Sequence, residues 1–135
     1  MARRVILDTG TLIAIERGSI AVDTVLGSDD AAIASVTAME LLVGVERADE
    51  TRKQARSARV EAVLASLPIE DYTIGVARIH ARLAVEAMSQ GKQRSAYDLM
   101  IAATAAATNR ILITTDGKAE FDQLAGVRCE VILVP

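Results

Sequence analysis

Aromatic residues are almost missing from this sequence: two Tyr, one Phe and no Trp among 135 positions. A surface that holds nucleic acid by stacking bases on rings is a poor fit to that composition. The core must be built from Val, Ile, Leu and abundant Ala, which favours closely packed helices. Cysteine occurs once, at Cys129, so an internal disulfide and a multi-cysteine zinc site are both excluded. The single histidine, His80, excludes a multi-histidine metal site. Any metal chemistry must therefore rest on oxygen ligands. Positive charge is not in excess: 15 Lys and Arg face 18 Asp and Glu, a formal net charge of −3. Such a chain is not a simple polycation that grips nucleic acid by bulk electrostatics. No apolar run approaches the ~20 residues of a membrane span. Val5-Ile6-Leu7 ahead of Asp8 is too short for the apolar segment of a signal peptide. A cytoplasmic protein with no membrane partner is expected.

What is present is a globular balance, 51% hydrophobic and 24% charged. At this length one domain over residues 1–135 buries roughly two-thirds of its unfolded surface. Only Pro68 and Pro135 interrupt the chain as prolines, and no repeat or low-complexity linker divides it. Short apolar runs alternate with longer helical stretches. Strands are predicted at Val5–Leu7, Ala31–Val36, an edge segment Leu67–Tyr72 containing Pro68, Ile111–Ile113 and Val131–Val134. Helices are predicted at Thr9–Arg17, capped by Thr9 or Thr11 and stopped by Gly18, and from Thr37 through Val45. Further helices are predicted at Asp49–Ser66, at Thr73–Gln90 with Gly91 as its stop, and at Asp98–Thr108. This alternation implies an α/β domain with a mainly parallel sheet, helices on both faces, and a ligand crevice beyond the carboxyl ends of the strands.

Four carboxylates fall where that crevice would form. Asp8 follows the first strand, Asp116 follows Ile111-Leu-Ile-Thr114, Glu40 sits in the first turn of the helix after the second strand, and Asp98 opens an Ala-rich helix. Each has a local explanation: a helix cap for Asp8 and Asp98, a capping box with Thr37 for Glu40, a turn for Asp116-Gly117. Together they point elsewhere. Converging carboxylates repel one another, and their ionised forms are costly unless a cation is bound. A hard divalent ion such as Mg²⁺ takes one or two carboxylates directly and keeps several waters. It can lower the pKa of a bound water and stabilise charge on a phosphoryl oxygen.

The segments Val5-Ile-Leu-Asp8-Thr9-Gly-Thr-Leu-Ile, Thr37-Ala-Met-Glu40-Leu-Leu-Val-Gly44, Tyr97-Asp98-Leu-Met-Ile-Ala-Ala103 and Ile113-Thr-Thr-Asp116-Gly-Lys-Ala-Glu-Phe121 resemble, in order and over the whole chain, the four motifs of PIN-domain nucleases. More narrowly they resemble VapC-type toxins of bacterial toxin–antitoxin pairs. The resemblance implies a three-layer α/β/α PIN-like domain and an endoribonuclease using Mg²⁺ or Mn²⁺. It implies Asp8 and Asp98 as direct metal ligands, Glu40 and Asp116 as the acids completing the quartet through water, and Thr114 as the hydroxyl that orients a ligand or water. The commoner form of the last motif has Asn at the position of Asp116 and Asp-Phe at its end, so Glu120 competes with Asp116 for the fourth place. A cognate VapB-type antitoxin is implied, its Arg-bearing tail drawn to the acidic crevice. So is a homodimer, for which Ile69, Val76, Leu83 and nearby Ala residues form a candidate face.

Between residues 47 and 60, Arg47, Arg52, Lys53, Arg56 and Arg59 stand against only Asp49 and Glu50. Arg52, Arg56 and Arg59 share a helical face. The strip is either solvated or tracks RNA phosphates without reading sequence. Lys92 and Arg94 lie in a predicted loop and could reach the same backbone. His80, Met39, Met100 and Cys129 read as packing residues. Two alternatives remain: a catalytically silent PIN-like module that binds RNA or protein, and a haloacid-dehalogenase-type phosphatase suggested by Leu7-Asp-Thr-Gly-Thr-Leu12. The phosphatase motif needs a second Asp where Gly10 stands.

Overall fold

The buried run Val5-Ile6-Leu7 forms the middle of a parallel sheet. The computed structural model describes residues 2–19, 21 and 27–132. Strands β1 (Arg4–Leu7), β2 (Asp30–Ala34), β3 (Ile69–Glu70), β4 (Ile111–Thr114) and β5 (Cys129–Val131) lie in the order β3-β2-β1-β4-β5. Every neighbouring pair is parallel, with Leu7 opposite Ile33 on one side and Ile113 on the other. Among the described residues the helices are α1 (Thr9–Glu16), α2 (Ser35–Glu46), α3 (Glu50–Ser66), α4 (Ile74–Ser89) and α5 (Ala96–Ala107).

Strand side chains alternate between two apolar cores. Val5, Leu7 and Ile113 pack with Leu12 of α1, Leu41 and Val45 of α2 and Val60 of α3. Ile6 and Leu112 pack on the opposite face with Val76 and Leu83 of α4 and Ile101 and Ala102 of α5. This is the expected three-layer α/β/α arrangement. Ala102, Ala103 and Ala105 are fully buried, so small side chains let α5 lie close to the layers around it. Met39, Met100 and Cys129 fill in against the same core, as their types predict.

Several boundaries differ from the sequence reading. β2 ends at Ala34 and α2 begins at Ser35, two residues before Thr37. Its capping position, Ala34, makes no side-chain cap bond; buried Val36, Thr37, Ala38 and Leu41 hold the start by packing instead. Asp8, not Thr9 or Thr11, caps α1 by accepting from the Thr11 amide at 2.8 Å. Ser95, not Asp98, caps α5, accepting from the amides of Tyr97 and Asp98. α3 and α4 begin after Asp49 and Thr73, each a side-chain cap. Gly18 and Gly91 follow α1 and α4 with φ of +77° and +68°, the left-handed turn that ends a helix cheaply only at glycine. The edge strand shrinks to Ile69–Glu70, and Pro68, lacking an amide, contributes its carbonyl to the Ile33 amide at 3.0 Å. β5 starts two residues early, at Cys129; positions 133 and 134 of the expected strand lie outside the described residues.

The expected pairing face is also corrected. Val76 and Leu83 are 1% and 0% exposed, because they lie on the side of α4 that covers the sheet. Ile69 of the expected face is exposed on β3, and Ile74, Val85 and Met88 are the large apolar side chains that α4 exposes. Any pairing through α4 would have to use them.

Candidate active site

Chain order runs from β1 outward to β2 and β3 on one side and to β4 and β5 on the other. The order therefore reverses between β1 and β4, and a crevice opens beyond their carboxyl ends. The Asp8 amide still donates to the Ile113 carbonyl at 3.1 Å, which places the first acid at this edge.

Asp8 is 9% exposed, and both carboxylate oxygens are engaged. One accepts from the Thr11 amide and the other from the Thr114 hydroxyl. Thr114 is fully buried, and its oxygen accepts from the Asp116 amide at 3.0 Å. One hydroxyl thus ties the first acid to the last. The cap reading of Asp8 holds together with its place in the crevice.

Glu40 is no capping-box partner, because α2 begins too early and Glu40 falls in its second turn. The Thr9 hydroxyl donates to Glu40 Oε1 at 2.7 Å and lies 3.2 Å from the Thr37 hydroxyl. A carboxylate only accepts, so Thr9 spends its proton on Glu40 and Thr37 donates to Thr9. This bracket was missed in the sequence, although Asp8-Thr9 and Thr37-x-x-Glu40 contain its parts.

Asp98, in the first turn of α5 and half-buried, is freed from capping by Ser95. Its carboxyl is held above the ordinary carboxylate range, first by burial and then by the charges of Asp8, Glu40 and Asp116, with Arg94 opposing. The charges of the other three predicted acids therefore all bear on Asp98. Asp116 is exposed and accepts from the Lys118 amide at 3.0 Å, which starts the short 3₁₀ turn Gly117–Ala119. Glu120 faces elsewhere: its carboxylate takes Lys92 Nζ at 2.8 Å and the Gln123 amide group, and the Lys92 bond holds its carboxyl below the usual range.

A like-charge cluster built only from oxygen donors, with a half-buried carboxyl kept from ionising easily, fits a hard divalent cation. Among the described residues no three Asp, Glu, His or Cys side chains are grouped closely enough to hold a metal ion by themselves. An ion held here would keep part of its water, as Mg²⁺ does.

A cleft of about 310 Å³ adjoins Glu40, lined in part by Glu16, Arg17, Gly44, Arg56 and Arg59. Arg56 reaches the Gly44 carbonyl at 3.4 Å, and Arg59 pairs with Glu16 at 3.2 Å. Of the basic strip, Arg56 and Arg59 come to the acids' side. Arg47 and Arg52 are exposed outside this cleft, and Lys53 pairs with Glu46. Arg17, which the sequence reading did not single out, joins them because α1 ends beside α3. Lys92 and Arg94 turn toward the loop after Asp116, where they bond the carbonyls of Lys118, Ala119 and Glu120. His80 lies 2.8 Å from the Tyr72 hydroxyl with its ring edge-on to the tyrosine, a packing role.

The Thr114 bridge makes a direct prediction. Thr114→Val keeps the shape but leaves the Asp116 amide without its acceptor and one of the two Asp8 carboxylate oxygens without its donor. Stability should fall by about 1–3 kcal/mol in urea titrations. A Val variant as stable as the parent would show the bridge to be idle.

Fold and crevice together define a PIN-type α/β domain, and the family model described as PIN domain matches residues 5–127. Ribonuclease VapC5 of Mycobacterium tuberculosis is 39% identical over 114 residues, 82% of each chain. Ribonuclease VapC1 of Rickettsia felis is 30% identical over 130 residues, 96% of this chain and 95% of that one. Among solved structures, DNA-bound VapBC from Salmonella typhimurium aligns with a TM-score of 0.83 at 27% identity, covering 97% of this chain and 98% of that one. The chain belongs to the PIN-domain family, as a member of its VapC type.

Proposed function

We propose that this chain is a metal-dependent endoribonuclease, the toxin of a toxin–antitoxin pair, with residues 1–135 acting as one nuclease domain. The observation that carries the reading is that Asp8 and the Asp116 amide share the Thr114 hydroxyl where strand order reverses between β1 and β4, with the charges of Asp8, Glu40 and Asp116 all bearing on Asp98. Relatives named ribonucleases support RNA as substrate, and a cytoplasmic site of action accords with that substrate. The similarity to a VapBC complex supports a VapB-type antitoxin as partner. Family membership sets the phosphatase alternative aside.

In this reading Asp8 and Asp98 hold Mg²⁺ or Mn²⁺, and Glu40 and Asp116 complete the acidic set. When bound, the cation supplies charge stabilisation at the phosphoryl oxygen and a lowered pKa for water. Glu40, held by Thr9, orients the attacking water and takes up its proton. Asp116, held through Thr114, supports the same water or the ion from the opposite strand. Arg56 and Arg59 receive the RNA backbone beside Glu40.

The reading is tested by mapping RNA 5′ ends in cells after brief induction. New ends should appear with the parent and not with Asp98→Asn; equal ends from both would favour a non-cutting binding module. The basic cleft makes its own prediction. In Arg56→Gln and Arg59→Gln, KM for RNA should rise severalfold with kcat nearly unchanged. The salt dependence of binding should also become shallower, since each contact releases roughly one counterion. An unchanged KM and salt slope would remove these arginines from the substrate path.

A further inference from the structure

We infer that Arg94 is a positioning residue: it latches the turn after Asp116 and thereby sets how firmly the four acids hold a divalent cation. The inference rests on the metal reading of those acids. It starts from an unusual stretch of backbone. Asp116 is followed by two short 3₁₀ turns, Gly117–Ala119 and Phe121–Gln123, hinged at Glu120. Glu120 sits at φ +50°, a left-handed conformation that side chains other than Gly, Asn and Asp rarely adopt. Something outside the turn must hold it there.

Arg94 meets that requirement. Its two terminal nitrogens donate to consecutive carbonyls, those of Ala119 and Glu120, the second at 3.0 Å. The guanidinium also lies 6.0 Å over the ring of buried Phe121, the residue after the hinge. The planar fork of arginine matches two acceptors in a way a point charge does not. Lys92, from the same loop, adds a tie to the Lys118 carbonyl and to the Glu120 carboxylate. Arg94 Nε is buried and, among the described residues, finds no hydrogen-bond partner. The fold thus tolerates an unpaired donor and a strained hinge in one place, beside the acids, as expected where geometry is held for function.

The latch and the plain charge of Arg94 predict opposite effects. As a cation near the acids, Arg94 competes with a metal ion, so losing its charge alone would tighten metal binding. As a latch, it keeps the turn and Asp116 in place, so losing it would weaken metal binding. Arg94→Lys retains the charge and loses the fork; Arg94→Met loses both. Mn²⁺ binding is read by electron paramagnetic resonance of the free ion on folded protein, beside kcat and KM for RNA. The expected result is a dissociation constant for Mn²⁺ raised on the order of tenfold in both variants, with kcat reduced and KM little changed. Tighter Mn²⁺ binding in Arg94→Met with parent-like Arg94→Lys would reduce Arg94 to a counter-charge and overturn the latch. Parent-like Mn²⁺ binding in both would make it a support of the fold only. If Arg94→Met does not fold, Arg94→Lys still decides the latch: weakened Mn²⁺ binding supports it and parent-like binding overturns it. A parent protein that binds no Mn²⁺ would instead overturn the metal reading itself, and the latch with it.

Discussion

Asp98→Asn should reduce RNA cleavage by a factor on the order of 10³ while making the metal-free protein more stable than the parent at neutral pH. The first effect follows from removing one charged oxygen of the proposed metal-holding set. The second follows from the raised carboxyl of Asp98, caused by burial and by Asp8, Glu40 and Asp116. In the folded state this group holds its proton more tightly than in the unfolded chain. Ionising it therefore costs stability, and the cost grows as pH rises from the ordinary carboxylate range through the raised native value. Below that range both states are protonated and the cost vanishes. The amide of Asn carries no charge and escapes it throughout. A helix N-terminus favours Asp over Asn, but only by about 0.3–1 kcal/mol, against burial and three like charges. Thermal melts in EDTA from pH 4 to 7 should show the variant's advantage at pH 7 shrinking toward pH 4. A variant less stable than the parent across that range would mean that Asp98 serves a favourable pairing, and the cluster would lose its reason to recruit a cation.

Exhaustive chelation should bring cleavage to background, and Mg²⁺ or Mn²⁺ should restore it. The same ions should stabilise the fold, because a ligand that binds only the native state adds about 2.7 kcal/mol at one hundred times its dissociation constant. For a chain of this length that is a rise in melting temperature of roughly 5–10 °C. Asp8→Asn and Asp98→Asn should lose most of the rise, since the cation then meets fewer charged ligands. Activity untouched by EDTA would exclude the metal mechanism; a stabilising shift that survives in both variants would place the ion elsewhere.

How much of this was legible depends on how local each feature is. Asp8 after Val5-Ile-Leu7 and Asp116 after Ile111-Leu-Ile-Thr114 were readable because a buried strand leaves an uninterrupted apolar run that stops at its end. The cap assignments were less readable. Ser95 and Asp98 are both competent caps three residues apart, and Thr37-x-x-Glu40 spells a capping box that packing of Val36 and Leu41 overrides. The α4 face was misjudged because Ile74, Val76, Leu83 and Val85 are all apolar, and only contact with the sheet separates the buried pair from the exposed one. Arg110 was passed over as one more basic residue. It is 4% exposed and bonds the carbonyls of Val5 and Asp30 and the carboxylate of Glu70, tying the residue ahead of β4 to β1, β2 and β3.

By itself the sequence determined the donor chemistry and the order of elements. With one Cys and one His, only oxygen ligands remain, and alternating apolar runs of two periods require a layered α/β domain. Which acids meet was decided by tertiary structure alone. Asp8 and Thr114 are 106 residues apart, and their hydroxyl–carboxylate bond exists because β4 pairs with β1 on the side opposite β2. Tertiary structure also separated Asp116 from Glu120, by giving Glu120 to Lys92 and leaving Asp116 among the acids that act on Asp98. Strand pairing and long-range ion pairs depend on what folding brings alongside, and no local pattern encodes a neighbour a hundred residues away.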